Sequence, residues 1–331
     1  MRTKNSNLAG NLSLSSSGNL VQSIYKNKMF IILIVMILGL SMASEVFLTK
    51  ENLLNIIKQV SVNVILAAGV TFVIISRGID LSVGAILAVG GVVAASIVKQ
   101  DIGSTLTAVS LAVAAGGILG YINGFTISRL GVAPFIITLA MMTIARGLAY
   151  VYVDGRPIVA LPKSFLFLGQ GNFLSVPISI WIMMIIILLS HLILRYTIFG
   201  RYVYYIGGNE EAARVSGINV KRIKTIVYVI SGLFAGLGGA ILASRINSGQ
   251  PQAGMSYELD AIAAVVIGGT SLNGGVGTIP GTIIGALIIG VINNGLNLLN
   301  VSPFYQMIAK GLVIAGAVIL DMRSNKSSKS V

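Results

Sequence analysis

Residues 225–244 read TIVYVISGLFAGLGGAILAS, an uncharged run bounded by Lys224 and Arg245. As a helix it spans about 30 Å, the thickness of a bilayer's hydrocarbon core. Gly232, Gly236 and Ala240 follow one another at four-residue steps. That spacing puts small residues on one face, where a second helix can approach closely. The same pattern recurs outward along the chain, at Gly116, Gly120 and Gly124 and at Gly277, Gly281 and Gly285. Apolar runs of crossing length cover roughly 29–48, 53–76, 81–98, 105–128, 133–153, 173–194, 225–244, 256–272, 276–299 and 303–321. The reading is an all-α polytopic membrane protein with about ten transmembrane helices.

Composition agrees. Of 331 residues, 55% are hydrophobic and 10% charged, and the mean hydropathy is +0.91. A soluble domain carries about 25% charged residues. The runs are long and helical, unlike the alternating segments of an outer-membrane barrel. The net charge of +13 is not a nucleic-acid signal, because the basic residues sit in loops between apolar runs. With no Cys and one His, disulfides and Cys-ligated metals are excluded, and His191 has no second His with which to form a metal site.

Residues 1–28 are polar, rich in Ser and Asn, and basic; they read as a disordered cytoplasmic tail, not a signal peptide. The transmembrane domain covers 29–321 and a second cytoplasmic tail 322–331. Ten crossings put both termini on one side. Fifteen of the 23 Lys and Arg residues then fall on that side and six opposite, which orients both termini inward. The run at 256–272 is the doubtful crossing. After Asp260 only about 12 residues remain before Asn273, roughly 18 Å of helix, so it either re-enters or crosses as a broken helix starting near Gly254. Re-entry would put Arg323, Lys326 and Lys329 outside, so the charges favour a crossing.

The inner loop at 195–224 holds IGGNEEAARVSGI (206–218), a short capped helix signal in an apolar chain. Asn209 suits the N-cap, Glu210 and Glu211 the positive helix end, and Gly217 the stop after the last turn. Such a helix outside the membrane suits docking to a soluble partner.

A faint repeat orders Asp80, Gly90-Gly91, Asn123-Gly124, Pro134-Phe135 and Arg146-Gly147 like Asp260, Gly268-Gly269, Asn294-Gly295, Pro303-Phe304 and Lys310-Gly311. The matched spans run in opposite directions, as in an inverted repeat with a pathway at its interface. Asp80 is an N-cap for the third span or a gate element at the inner mouth. Arg146 lies deep in its span, either functional or paired with another helix's acid or carbonyls; Lys310 reads the same way, nearer an end. Glu258 and Asp260 begin the short eighth run. Asn293 and Asn294 lie deep in the ninth, facing a cavity or serving as interhelical glue.

No Gly-Lys dipeptide occurs, so there is no P-loop, and neither HExxH nor GxSxG is present. An enzyme is not indicated, and any ATP energy comes from a separate chain. An ion-gradient-driven secondary transporter is the alternative. It would need a titrating acid within the membrane, and the candidates Asp80, Glu258 and Asp260 all lie near span ends.

Four segments together resemble the membrane permease subunits of ribose-type sugar ABC importers, relatives of the branched-chain amino-acid permeases. They are GVTFVIISRGIDLSVGAILAVGG (69–91), APFIITLAMMTIARGLAYVYVDGRPI (133–158), IGGNEEAARVSGINV (206–220) and YELDAIAAVVIGGTSLNGGVGTIPGTIIGALIIGVINNGL (257–296). The resemblance implies a homodimeric or pseudo-dimeric core in a bacterial inner membrane, a cytoplasmic ATPase subunit and an extracytoplasmic sugar-binding protein. It also implies that Asn209, Glu210, Glu211, Ala212, Ala213, Arg214 and Gly217 couple to the ATPase. No cofactor is expected in this chain. Arg77 and Ala140 stand where the family pattern often has Gly.

Overall fold

The structure of the protein, a computed structural model, describes residues 28–302, 304–312 and 315–316. Of the expected tails at 1–28 and 322–331, all but Lys28, where the first helix begins, lie outside the described residues. The described residues are mostly helical. Among the described residues, six helices are long and apolar enough to cross a membrane: α2 (Lys50–Ile75), α4 (Thr105–Leu130), α5 (Pro134–Tyr152), α7 (Ile178–Tyr196), α10 (Val220–Arg245) and α12 (Ile279–Leu298). Two shorter apolar helices are α1 (Lys28–Ala43) and α3 (Val83–Lys99). Between α5 and α7 lie a two-residue strand β1 (Ile158–Val159), helix α6 (Lys163–Gln170) and a hairpin of β2 (Asn172–Phe173) and β3 (Val176–Pro177); the loop after α7 forms α8 (Ile198–Gly208) and α9 (Glu210–Val215). Strand β4 (Ser248–Gly249) and helix α11 (Tyr257–Ile267) follow α10, and residues 304–312 are helical.

Helix α10 is the axis of the bundle, packed against α4, α3 and α2. The stripe read from the sequence is the α4–α10 seam. A Cβ on Gly116 would collide with the Gly232 carbonyl, and one on Gly232 with the Gly116 carbonyl, so the two backbones touch directly. Helix α12 packs on α11 and α2, and α1 on α12, where Leu40 fills the space over Gly295. The buried core runs through α2, α3, α10, α11 and α12. The outer faces of α5 and α7 expose Leu139, Ile144, Leu148, Ile185, Leu188 and Leu192. A surface so apolar belongs against lipid or another apolar surface.

A smaller cluster around Phe165 holds α6 over the far end of α10. There Ser244 Oγ donates to the Phe165 carbonyl at 2.7 Å and accepts from the Gly169 amide at 2.7 Å. Strand β1 pairs antiparallel with β4, Ile158 opposite Gly249.

The apolar run at 256–272 forms only an 11-residue helix, about 16 Å long. Gly268-Gly269 ends it, with Gly269 at φ 89°, and an irregular stretch leads to α12. Hydropathy marks that stretch as apolar and does not register the backbone reversal. The N-cap of α3 is Ser82, not Asp80. Asp80 sits two residues earlier, fully buried, and accepts from the Ser82 amide at 3.0 Å.

Candidate functional site

Four helices direct polar faces into one cavity of about 550 Å³, inside the roughly 300–1,000 Å³ range of small-molecule sites. Helix α2 contributes Asn55, Lys58, Gln59 and Asn63, residues three, four and eight apart and so on one face. Helix α12 contributes Asn293 and Asn297, α11 Tyr257 and Asp260, and the helix at 304–312 Gln306 and Lys310. Gln170 and Arg245 close the rim from the ends of α6 and α10.

The wall is cross-braced. Lys310 Nζ bonds Asp260 Oδ2 at 3.0 Å, and Asn293 lies close to the Asp260 side chain. Arg245 Nη1 donates to the Lys58 carbonyl at 2.9 Å, and Gln306 Nε2 to Asn297 Oδ1 at 2.8 Å. The carboxamide oxygens of Asn63 and Asn293 are buried without a hydrogen-bond partner among the described residues. Lys58 and Arg245 make no ion pair among the described residues.

The other sequence candidates fall into separate clusters. Asp80 Oδ1 also accepts from Ser82 Oγ at 2.5 Å, and its Oδ2 from Ser231 Oγ at 2.8 Å; Asn123 Nδ2 donates to Ser82 Oγ at 2.9 Å. This fully buried network ties the α2–α3 loop to α4 and α10. Arg146 Nη1 donates to the carbonyls of Pro251 and Ala253 at 2.6 and 2.7 Å, pinning the loop between β4 and α11, with Glu258 as its nearest opposite charge. The Glu258 side chain lies over Gly84, so Glu258 and Asp260 face different surroundings from one short helix. Asn294 exchanges amide hydrogen bonds with Asn52 at 2.8 and 3.1 Å, the interhelical glue its residue type allows.

At the other end of α10, about 39 Å along the helix axis, lies α9. Asn209 caps it: Oδ1 accepts from the Ala212 amide at 3.0 Å. Gly217 follows its last turn at φ 84°, and the Ile218 amide returns to the Ala213 carbonyl at 3.1 Å. Ala213 is buried, whereas Glu211, Ala212 and Arg214 face out. Arg214 pairs with Glu211 and Glu210, and Glu210 Oε2 accepts from Lys224 Nζ of α10 at 2.5 Å. The exposed face ends in Val215, 84% accessible, an unusual place for an aliphatic residue unless something covers it.

Helix α8 leads directly into α9 and packs on the ends of two other elements. Gly207 seats against the Ile75 carbonyl and the Gly275 amide. Tyr204 Oη donates to the Gly277 carbonyl at 2.7 Å.

The model of the family "Branched-chain amino acid transport system / permease component" matches residues 52–318. The chain belongs to this permease family. Ribose import permease protein RbsC of Haemophilus influenzae is 49% identical over 300 residues, 89% of this chain and 93% of that protein. The protein of the same name in Escherichia coli K12 is 50% identical over 300 residues, with the same shares covered. L-arabinose transport system permease protein AraH of Escherichia coli K12 is 39% identical over 307 residues, 92% of each chain. No solved structure matches the permease.

A multi-pass membrane permease is a transport protein, not an enzyme, as its relatives are. Of the sequence candidates, Asp260 and Asn293 line the cavity of the permease, and Asp80, Asn123, Arg146, Glu258 and Asn294 do not. Sequence reasoning missed Asn55, Lys58, Gln59 and Asn63, which sit inside an apolar run. Their helical spacing was the available signal. Arg77 has φ 67° at the end of α2, where the Gly78 amide returns to the Val73 carbonyl at 2.9 Å. That is the left-handed position after a helix, which glycine occupies most easily.

Proposed function

We propose that the chain is the membrane-spanning subunit of an ATP-binding cassette importer in a bacterial inner membrane, passing a monosaccharide of the ribose class into the cytoplasm. The observation that carries this reading is 49–50% identity to ribose import permeases over 89% of the chain. A separate cytoplasmic ATPase would supply the energy, and an extracytoplasmic binding protein would deliver the sugar. A second copy or a paralogue would complete a dimer.

In this reading ten helices cross with both termini inside: α1 to α5, α7, α10, α11, α12 and the helix at 304–312. The concentration of Lys and Arg on one side supports the orientation. The permease domain is 29–321, with tails at 1–28 and 322–331. The repeat would relate α3–α5 to α11, α12 and the last helix in opposite directions. Its support is that Asp80 and Asp260 are both buried and both accept hydrogen bonds from neighbouring helices.

Asn209 to Gly217, in the loop 195–224, would be the ATPase contact. Its support is an exposed, capped helix joined to the bundle through α8 and Lys224. Asp260 and Asn293 would line the sugar's path. Arg146 and Glu258 would hold its wall, and Asp80, Asn123 and Asn294 would brace the helices around it.

The test is uptake of labelled ribose into vesicles holding the chain with its ATPase and binding protein. ATP-dependent uptake is expected. Uptake by the chain alone, driven by a proton or sodium gradient, would overturn the reading.

A further inference from the structure

A second cavity, of about 610 Å³, opens at the α9 end of the bundle. Its walls are the last turn of α4, the turn at 131–133 that leads into α5, and the junction of α9 with α10. Four cations line it, Arg129, Arg214, Lys221 and Lys224, against one carboxylate, Glu210. Glu210 is already engaged by Lys224 at 2.5 Å and by Arg214 at 3.4 Å. Arg129 and Lys221 make no ion pair among the described residues. Of the ten Asp and Glu residues, Asp321 alone lies outside the described residues, so the rest of the sequence holds one further acidic side chain for two unpaired cations.

The cavity sits at the foot of an apolar stripe. Ile118, Ile122 and Phe125 are exposed on α4 at steps of four and three residues, and Arg129 continues the same face four residues on. The Arg129 guanidinium lies over the Phe125 ring, 5.7 Å from its centre, and Tyr121 packs beside Phe125 with ring centres 5.9 Å apart. A ring attracts a guanidinium through its face and leaves the in-plane N–H donors unsatisfied. A phosphate takes such donors in pairs. Helix α4 has 26 residues, about 39 Å of length, which carries its last turn past a hydrocarbon core of about 30 Å and into the headgroup layer.

We propose that this pocket holds the phosphate headgroup of an anionic phospholipid, with an acyl chain lying along the α4 stripe. Basic pockets between transmembrane helices take acidic headgroups in this way. What favours a lipid over a free phosphate is that Arg129 belongs to both the stripe and the pocket. The pocket floor also carries the buried apolar side chains Ile127 and Val220, which suit the glycerol ester end of a lipid better than a bare anion. Glu210 and Arg214 belong to α9, so the bound headgroup braces the base of that helix from the membrane side. The inference needs the embedding of the chain in a membrane and nothing of its cargo.

The chain contains no Cys, so Leu130→Cys, exposed at the pocket rim, carries a single bimane. The full-length variant is placed in phosphatidylcholine nanodiscs holding an equal minor fraction of phosphatidylglycerol or phosphatidylcholine, spin-labelled near the glycerol end of one chain. Spin-labelled phosphatidylglycerol quenches the bimane several-fold more than spin-labelled phosphatidylcholine, and the excess persists in high salt, where diffuse surface attraction is screened. Arg129→Gln with Lys221→Gln removes the excess, and Arg156→Gln with Lys163→Gln, at the other end of the bundle, keeps it. Should the first pair fail to insert, Arg129→Gln alone lowers the excess. Equal quenching by the two lipids, an excess lost in high salt, or one that survives removal of the pocket cations overturns the inference. Relief of quenching by soluble glycerol 3-phosphate makes the pocket a free-phosphate site and overturns it too. So does loss of the excess when the ATPase subunit is bound, which gives the pocket to that partner. Sugar uptake enters none of these outcomes, so the importer reading stands or falls separately.

Discussion

The Gly275 amide donates to the Ile75 carbonyl at 2.9 Å, tying the irregular stretch after α11 to the last turn of α2. Gly207 presses on both groups from α8, two residues before the cap of α9. Any displacement of α9 therefore reaches the ends of two bundle elements through backbone alone, with no flexible side chain to absorb it.

Gly207→Ala tests that junction. The added methyl would overlap the Ile75 carbonyl, whereas at Gly208 a methyl meets nothing within 4 Å. Overpacking costs about 1–3 kcal/mol. Gly207→Ala should lower the melting temperature in detergent and reduce sugar uptake, and Gly208→Ala should do neither. Matching melting curves for the two variants would show that the contact is soft.

Arg77 holds a left-handed backbone, φ 67°, a conformation that costs an L-residue about 1–2 kcal/mol. Arg77→Gly should fold, insert and transport at least as well as the wild type. Arg77→Val, with its branched Cβ, should lose stability. The check is thermal unfolding of the three proteins side by side, and a destabilised Arg77→Gly would contradict the backbone account.

Lys310 neutralises Asp260, whose side chain is 4% accessible. Removing one partner of a buried pair costs about 3–5 kcal/mol, because the other charge is stranded. Lys310→Ala should be strongly destabilising, and adding Asp260→Asn should restore part of the loss. A double variant no more stable than Lys310→Ala would mean that the carboxylate is not the source of the cost.

Asn209→Ala should remove about 1 kcal/mol of capping from α9. Ala212→Pro together with Ala213→Pro should disrupt the helix outright. Both should still insert, while ATPase co-purification falls modestly in the first and is lost in the second. Full recovery of the ATPase with the double-proline variant would exclude α9 as the contact.

The helix α9 was legible because each cap residue states its own local geometry: Asn209 accepts where an N-cap accepts, and Gly217 turns left-handed where a helix stops. The long helices were legible from hydropathy alone. Helix α8 was not, since TIFGRYVYYIGG mixes aromatic, polar and small residues without a clear apolar run. The shortness of α11 was legible from the few residues between Asp260 and Asn273; its stop at Gly268 and Gly269 was not, because these are apolar in composition yet break the helix. The cavity was half legible. Asp260 and Asn293 stood out as polar residues in apolar runs. Asn55, Lys58, Gln59 and Asn63 were hidden, because a span is judged by its average and a polar stripe on one face barely moves that average. The meeting of six distant segments at one cavity is a tertiary fact that no local pattern carries.

The glycine seam between α4 and α10 has a mechanical meaning. Where Gly116 meets Gly232, backbone touches backbone, and there are no rotamers to exchange during a conformational cycle. Helices joined through side chains can creep past one another by repacking. Helices joined without them must either separate or travel together. The pair α4–α10 is therefore a single stiff stave, and any conformational change must be taken up by the elements around it.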